Sequence, residues 1–268
     1  MVELFEQEIK TNDRQSSKGN QLKWFSRDTW YKADYTGYEG LAEYIISNLL
    51  QYSTLDKKEY VLYETEELSY KYQHYLGCRS KSCLEIGWQM ITLERLFQNY
   101  CGESLNKSIY SIREHKKRIE FLVEQTERIT GLKEFGIYMS KLLTLDAFFL
   151  NEDRHTHNIA VLMDGSGNYD YCPIFDNGAA LLSDITMDYP LCVETEQLMS
   201  GVKAKTFCQS FEEQLDIVES LYGQYIHFTF DNSIISALLK NERYYSEEIK
   251  TRIKDIIIMQ KRKYSFLF

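Results

Sequence analysis

An α+β fold is predicted: a sheet-rich first portion carrying one helix, then a helical portion interrupted by one hairpin. Three patterns carry that expectation. Residues 21 to 35, "QLKWFSRDTWYKADY", set aromatics between polar residues in the manner of two short strands joined by a turn. From Ser108 to Leu150 apolar residues recur at helical spacing. Between these and the helical C-terminal third lies "IAVLMDGSGNYDYCPIF", two apolar runs around a turn of Asp164, Gly165, Ser166, Gly167 and Asn168.

Taken in order, the first helix is expected from about Tyr38 to Gln51, where Leu41, Tyr44, Ile45, Asn48 and Leu49 fall on or near one face. "EYVLYETEEL" (59 to 68) and "IGWQMITLERLF" (86 to 97) read as strands. The stretch after Ser108 reads as two long helices broken near "TGLKE", the second with Phe135, Tyr138, Leu142, Leu145 and Phe149 on a buried stripe. The hairpin follows, its second strand ending at Phe175. From Phe211 onward, "EEQLDIVESLYG" and "SEEIKTRIKDIII" return to helical spacing.

Composition narrows the function classes. The chain has 268 residues, 44% of them apolar, enough for a sizeable core, and two prolines, with no flexible linker tract or repeat. A net charge of −9 argues against direct nucleic-acid binding, and the "KRK" at 261 to 263 reads as solvated surface. The acidic start "MVELFEQEIK" is no signal peptide, and no apolar run can span a bilayer. Six cysteines without a C-x-x-C pair read as reduced thiols of a cytoplasmic protein.

The chemistry concentrates in "LNEDRHTHNIAVL", residues 150 to 162. Asp153, Arg154, His155 and Asn158 occupy the loop between a buried helix and a strand, and Asp176, in "IFDNG", closes the hairpin that follows. A hairpin returns its end to its beginning, so Asp153, Asn158 and Asp176 are expected to converge. Two carboxylates and an amide oxygen are hard ligands suited to Mg²⁺. Asp153 would accept a proton from an attacking hydroxyl while Asn158 and Asp176 hold metal against phosphates, with His155 and Arg154 bracing the loop. Two other readings compete: a solvated polar loop, or a transition metal on His155, His157 and Asp153, for which the sequence nearby supplies no third nitrogen or sulfur.

The pattern D-R-H-x-x-N followed by the Asp of "FDNG" resembles the catalytic and metal-binding loops of HipA-like serine/threonine kinases. "YEGLAE" and "VKAKTF" are similar to further segments of the small bacterial members, so the resemblance covers most of the chain. It implies a two-lobed protein-kinase-like fold: a small sheet-rich N-lobe over 1–97 with phosphate loop, nucleotide-binding sheet and one helix, and a larger helical C-lobe over 98–268 with the catalytic loop and metal-binding hairpin. It implies Asp153 as base, Asn158 and Asp176 as metal ligands, and His155 within the catalytic set.

The resemblance also makes Lys32, in "WYKADY", the lysine that contacts nucleotide phosphates; a surface lysine is the competing reading of that residue alone. Glu39 and Glu43, one helical turn apart, could both face Lys32, and Glu39 is preferred as its partner. "ITLERLF" is similar to the strand linking the lobes, with backbone groups of Glu94 and Leu96 meeting adenine. Phe97 stands where family members often carry a ribose-binding acid.

"QSSKGNQLK" falls at the phosphate-covering loop, with Ser17, Lys18, Gly19 and Lys23 as the nucleotide-binding residues. Ser16 or Ser17 is the implied autophosphorylation site, where added charge would oppose nucleotide binding. The implied activity is ATP- and Mg²⁺-dependent phosphoryl transfer to a Ser or Thr hydroxyl of a protein by a toxin-like kinase. A protein substrate and an antitoxin protein are the implied partners, with no membrane. Phosphoinositide-type lipid kinase activity and a kinase-like nucleotide-binding module without transfer are the alternatives.

Overall fold

The aromatic stretch folds as expected, into β2 (Lys23–Ser26) and β3 (Thr29–Ala33), following the short β1 (Val2–Glu3). Arg27 and Asp28, at φ 48° and 62°, form the two-residue turn, whose left-handed residues match the twist of the strands they join. The computed structural model describes residues 1–9 and 21–268. Ser17, Lys18 and Gly19, with the neighbouring Ser16, lie outside the described residues.

Helix α1 (Glu39–Leu50) fills the expected span. β4 (Tyr63–Tyr70) and β5 (Gln73–Lys81) then form a second hairpin, and the strands order as β1-β4-β5-β3-β2. β5 is not expected from the sequence, because it carries Gly77 at its centre and polar residues at both ends. Gly77 is what lets the sheet work: a Cβ there would lie 2.0 Å from the Lys32 carbonyl oxygen, and a Cβ on Gly40 would lie 2.4 Å from the Gly77 carbonyl carbon. The bare Gly77 lets β5 close on β3, and the bare Gly40 lets α1 approach the β5 backbone. Leu41, Ala42, Ile45, Ile46 and Leu49 of the helix are fully buried.

The stretch 86–97 departs from expectation. Only Gln89–Thr92 is a strand, β6, and Leu93–Cys101 is helix α2. Thr92 caps it by accepting from the Arg95 amide, Gly102 ends it at φ 73°, and Leu93, Leu96 and Phe97 bury one face at the i, i+3, i+4 interval. Cap and stop outweigh the strand-forming composition that the reading followed.

Helices α3 (Leu105–Ser111), α4 (His115–Thr130) and α5 (Phe135–Phe149) come next, then the hairpin β7 (Ala160–Met163) and β8 (Tyr169–Tyr171), which pairs with β6 through β7. The second hairpin strand ends at Tyr171, short of Phe175. After α6 (Thr195–Gly201) come α7 (Phe211–Tyr222), α8 (Asn232–Asn241) and α9 (Glu247–Lys263).

These elements sort into two compact units built from separate stretches of chain. The first comprises Met1–Ser82, Asp176–Gly201 and His227–Phe268; the second comprises Cys83–Phe175 and Val202–Ile226. The chain first passes from one to the other at Ser82–Cys83, so residue 97, the expected lobe boundary, lies inside α2 of the second unit. Long-range hydrogen bonds explain the regrouping of the first unit. Tyr38 donates to the Leu181 carbonyl at 2.6 Å, and the Arg252 guanidinium on α9 donates to the carbonyls of Tyr189 and Pro190, both at 2.7 Å.

Candidate functional site

In the first unit, Lys23 on β2 and Lys32 on β3 are direct cross-strand partners and therefore share a sheet face. Two ammonium groups so placed repel unless an anion joins them. Asp176 supplies it, with Oδ1 2.7 Å from the Lys32 Nζ and Oδ2 3.8 Å from the Lys23 Nζ. Asp176 itself has φ 60°, a left-handed conformation that Asp tolerates better than most residues but which still costs free energy.

Lys32 also pairs with Glu43, its Nζ 2.6 Å from Oε1. The other oxygen of that buried carboxylate accepts the Asn177 amide at 2.9 Å, so α1 grips both the lysine and the backbone next to Asp176. The Tyr63 hydroxyl lies 3.4 Å from the Lys32 Nζ. Burial alone would lower the Lys32 pKa, but the Asp176 and Glu43 carboxylates outweigh it and hold the group well above the ordinary lysine range, fully charged.

Glu39, preferred from sequence as the lysine's partner, is engaged elsewhere. Its carboxylate accepts the amides of Thr36 at 2.7 Å and Gly37 at 3.1 Å and the Thr36 hydroxyl at 2.8 Å. As the first residue of α1 it reaches back to the unsatisfied amides of the preceding turn, a role fixed by helix-end geometry. Glu43, one turn further in, is the residue that faces Lys32.

In the second unit, α5 ends at Leu150, whose φ of 58° turns the chain into the polar loop. Almost every residue of α5 is buried, and the one carboxylate among its apolar side chains, Asp146, receives Arg154. The Arg154 Nε lies 3.1 and 3.0 Å from the two Asp146 oxygens, and Nη2 is 3.0 Å from Oδ1. Nη1 donates to the carbonyls of Asn158 at 3.2 Å and Phe175 at 2.8 Å, while the Arg154 carbonyl accepts the Thr206 hydroxyl at 2.5 Å. One guanidinium thus ties together the helix end, the far side of the loop and the residue immediately before Asp176.

Around this anchor the loop presents its chemistry. Asp153 is mostly buried, with the His155 Nε2 3.8 Å from its Oδ2. His155 Nδ1 accepts the His157 amide at 3.2 Å, which assigns the ring proton to Nε2, facing Asp153. The Asn158 side-chain amide donates to the Asp153 carbonyl at 3.0 Å, which leaves its oxygen turned away from that bond. A carboxylate on one chain segment and an amide oxygen on another are the donor types Mg²⁺ takes, so Asp176 and Asn158 fit the metal in chemistry.

Glu94 and Leu96, expected on a strand linking the lobes, stand on a helix instead. Both lie in α2; Leu96 is buried, and the Glu94 amide donates to the Thr156 carbonyl at 3.2 Å. The Glu94 side chain instead braces the loop, its Oε2 accepting the Thr156 hydroxyl at 2.8 Å and the Asn106 amide at 2.9 Å. Burial raises its pKa, but hydrogen bonds from Ser104, Thr156 and the Asn106 amide prevail and lower it, keeping the carboxylate ionised.

Asp146, Thr206 and Asn177 were missed from sequence. For Asp146 a signal existed, a single acid inside the apolar run "LLTLDAFFL" eight residues before Arg154. Among the described residues, no helix is long and apolar enough to cross a membrane.

Neither a known protein-family profile nor a curated protein matches the sequence. Solved structures do. One is the Helicobacter pylori proinflammatory kinase CtkA, with TM-score 0.57 and 16% identity over 100% of this chain and 96% of that one. Another is HipA of Shewanella oneidensis MR-1, solved with HipB and operator DNA, with TM-score 0.50 and 13% identity over 94% of this chain and 66% of that one. The fold is that of HipA-like kinases, a mixed α/β architecture with a sheet-rich and a helical portion.

Proposed function

We propose that this chain is an ATP- and Mg²⁺-dependent kinase that transfers the γ-phosphoryl group to a serine or threonine hydroxyl of a protein. The observation that carries the reading is Lys32 held between Glu43 at 2.6 Å and Asp176 at 2.7 Å, a buried lysine set among carboxylates, in a chain that also carries the D-R-H-x-x-N loop. In protein kinases, a strand lysine paired with a helix glutamate and an aspartate that ligates Mg²⁺ must all be in place for transfer. The kinase-like fold supports the same reading.

In this mechanism Lys32 exchanges its contact with Asp176 for phosphate oxygens when nucleotide enters, and Glu43 keeps its ammonium in position. Lys23 adds a second positive charge on the same sheet face. Asn158 and Asp176 would be the residues to hold Mg²⁺, which would supply positive charge against the phosphates. Asp153 accepts the proton of the substrate hydroxyl as its oxygen bonds to the γ-phosphorus and the bond to the ADP oxygen breaks. His155, with its Nε2 proton toward Asp153, orients that carboxylate. Catalysis is mostly positioning and charge stabilisation, which is why the loop is anchored so deeply through Arg154.

HipA was solved with HipB and DNA; an antitoxin protein of that kind is the partner proposed here, with cytoplasmic action and autophosphorylation at Ser16 or Ser17. The test is mass spectrometry of wild type and Asp153→Ala after incubation with Mg-ATP and a cell extract. Serine and threonine phosphopeptides are expected with wild type alone. Identical phosphopeptides with both proteins would refute the assignment of Asp153. Nucleotide-dependent thermal stabilisation without any transfer would indicate a nucleotide-binding module instead.

A further inference from the structure

Among the described residues, one group of metal-ligating side chains comes together outside the residues assigned above. His115 opens α4, Cys208 lies on the segment leading to α7, and Glu213 sits in the first turn of α7. One donor atom from each lies within 4.8 Å of the other two. We propose that these three side chains form a Zn²⁺ site that fastens the segment carrying Thr206.

The donor set decides the ion. Sulfur, imidazole nitrogen and carboxylate oxygen form a mixed borderline-soft set suited to zinc, whereas Mg²⁺ and Ca²⁺ take oxygen. The three come from separate segments, at positions 115, 208 and 213, so the ion would cross-link two helix starts and a loop. Bond lengths of about 2.3 Å to sulfur and 2.0–2.2 Å to nitrogen and oxygen require the sulfur to draw in by about 1 Å from the widest separation, and the His115 and Glu213 atoms, now 2.6 Å apart, to part by a little less than that. The partly exposed His115 and Glu213 have the freedom to do so, and a water from the solvent side completes a tetrahedron.

The apo arrangement is already organised for this. His115 Nδ1 and Glu213 Oε1 are 2.6 Å apart, so two of the three donors already face each other. Cys208 is buried and its thiol donates to the Ser210 carbonyl at 3.0 Å. Burial pushes that thiol up to about 11, so without metal it is a neutral thiol rather than a reactive one. Zinc entry therefore releases the thiol proton.

The location gives the site a purpose. Thr206, two residues before Cys208, is the residue whose hydroxyl holds the Arg154 carbonyl. Lys205 pairs with Glu152 at 3.2 Å, and the Phe207 carbonyl accepts from Arg118 at 2.9 Å. A metal at Cys208 immobilises the segment that supports the back of the polar loop, making this a structural site.

The experiment uses the whole chain with the exposed Cys101 and Cys192 and the partly exposed Cys83 changed to Ser, which removes the accessible competing thiols. Zn²⁺ is titrated at pH 8 by calorimetry in two buffers of different ionisation enthalpy, and Co²⁺ is followed by absorption. One ion bound with release of one proton, a thiolate-to-cobalt charge-transfer band and a raised Tm are expected. Cys208→Ser should abolish band and proton release, and His115→Ala and Glu213→Gln should each weaken binding about tenfold or more. Unchanged binding in Cys208→Ser, or no stoichiometric binding in a protein whose Tm is normal, would overturn the site. No step of this test depends on kinase activity.

Discussion

Removing Asp146 should be among the most damaging single changes in the second unit. Asp146 and Arg154 are 1% and 3% exposed at their side chains, and the guanidinium makes three short N–H···O approaches to the carboxylate. In Asp146→Ala the cation remains buried, with its carboxylate partner gone and the Asn158 and Phe175 carbonyls still accepting from Nη1. Breaking a buried pair in this way costs about 3–5 kcal/mol, a large share of the roughly 5–15 kcal/mol by which a domain is stable. With a urea dependence of about 2 kcal/mol per molar, the unfolding midpoint should fall by about 2 M. The second variant, Asp146→Ala with Arg154→Met, removes the stranded charge and should recover part of the loss, while phosphoryl transfer stays impaired because the loop has lost its anchor. Urea melts of wild type, single and double variants give the answer. A single variant within about 1 kcal/mol of wild type, or a double variant no more stable than the single, would refute the account of Arg154 as a buried cation dependent on Asp146.

Three further outcomes are expected. Glu43→Gln should lower kcat/KM at least about tenfold, roughly 1.4 kcal/mol of transition-state stabilisation, while Glu39→Gln shows mainly a stability loss; steady-state kinetics that rank them the other way would contradict the assignment of Glu43. Gly40→Ala, whose Cβ would lie 2.4 Å from the Gly77 backbone, should push α1 off the sheet, lower Tm and weaken activity by separating Glu43 from Lys32, and a normal Tm would rule this out. Asp34, partly buried and hydrogen-bonded to the Gly40 amide and the Tyr245 hydroxyl, has its pKa raised from 3.8 to about 8, chiefly by desolvation and then by the Glu39 charge. Its folded pKa exceeds its unfolded value, so its contribution is fully present below about pH 4, falls by at most about 1.4 kcal/mol per pH unit as pH rises toward 8, and then levels off. The always-neutral Asp34→Asn should flatten the stability curve between about pH 5 and 8, and parallel wild-type and variant curves would show that Asp34 does not carry it.

Local chemistry, read without coordinates, was enough for the elements that obey it alone. The hairpin at 21 to 35, the helix at 39 to 50, the long helix ending at Phe149 and the turn at 164 to 168 follow from periodicity and turn residues acting over a few positions. The polar loop was legible for the same reason, because its residues are sequence neighbours with specific chemical types. Its anchor was not, since Asp146 and Thr206 act on Arg154 from 8 and 52 residues away.

Tertiary structure alone decided which of two acids on one helix face meets Lys32. Residues four apart share a face, so sequence cannot rank Glu39 against Glu43; the depth at which Gly40 lets the helix settle on the sheet does. The same holds for Glu94. The strand-forming residues around it favour one conformation, while the Thr92 cap, the Gly102 stop and burial of Leu93, Leu96 and Phe97 select a helix that turns its carboxylate toward Thr156. Membership of the two units is likewise set by long-range packing, because burial free energy depends on which surfaces meet and chain order does not record it.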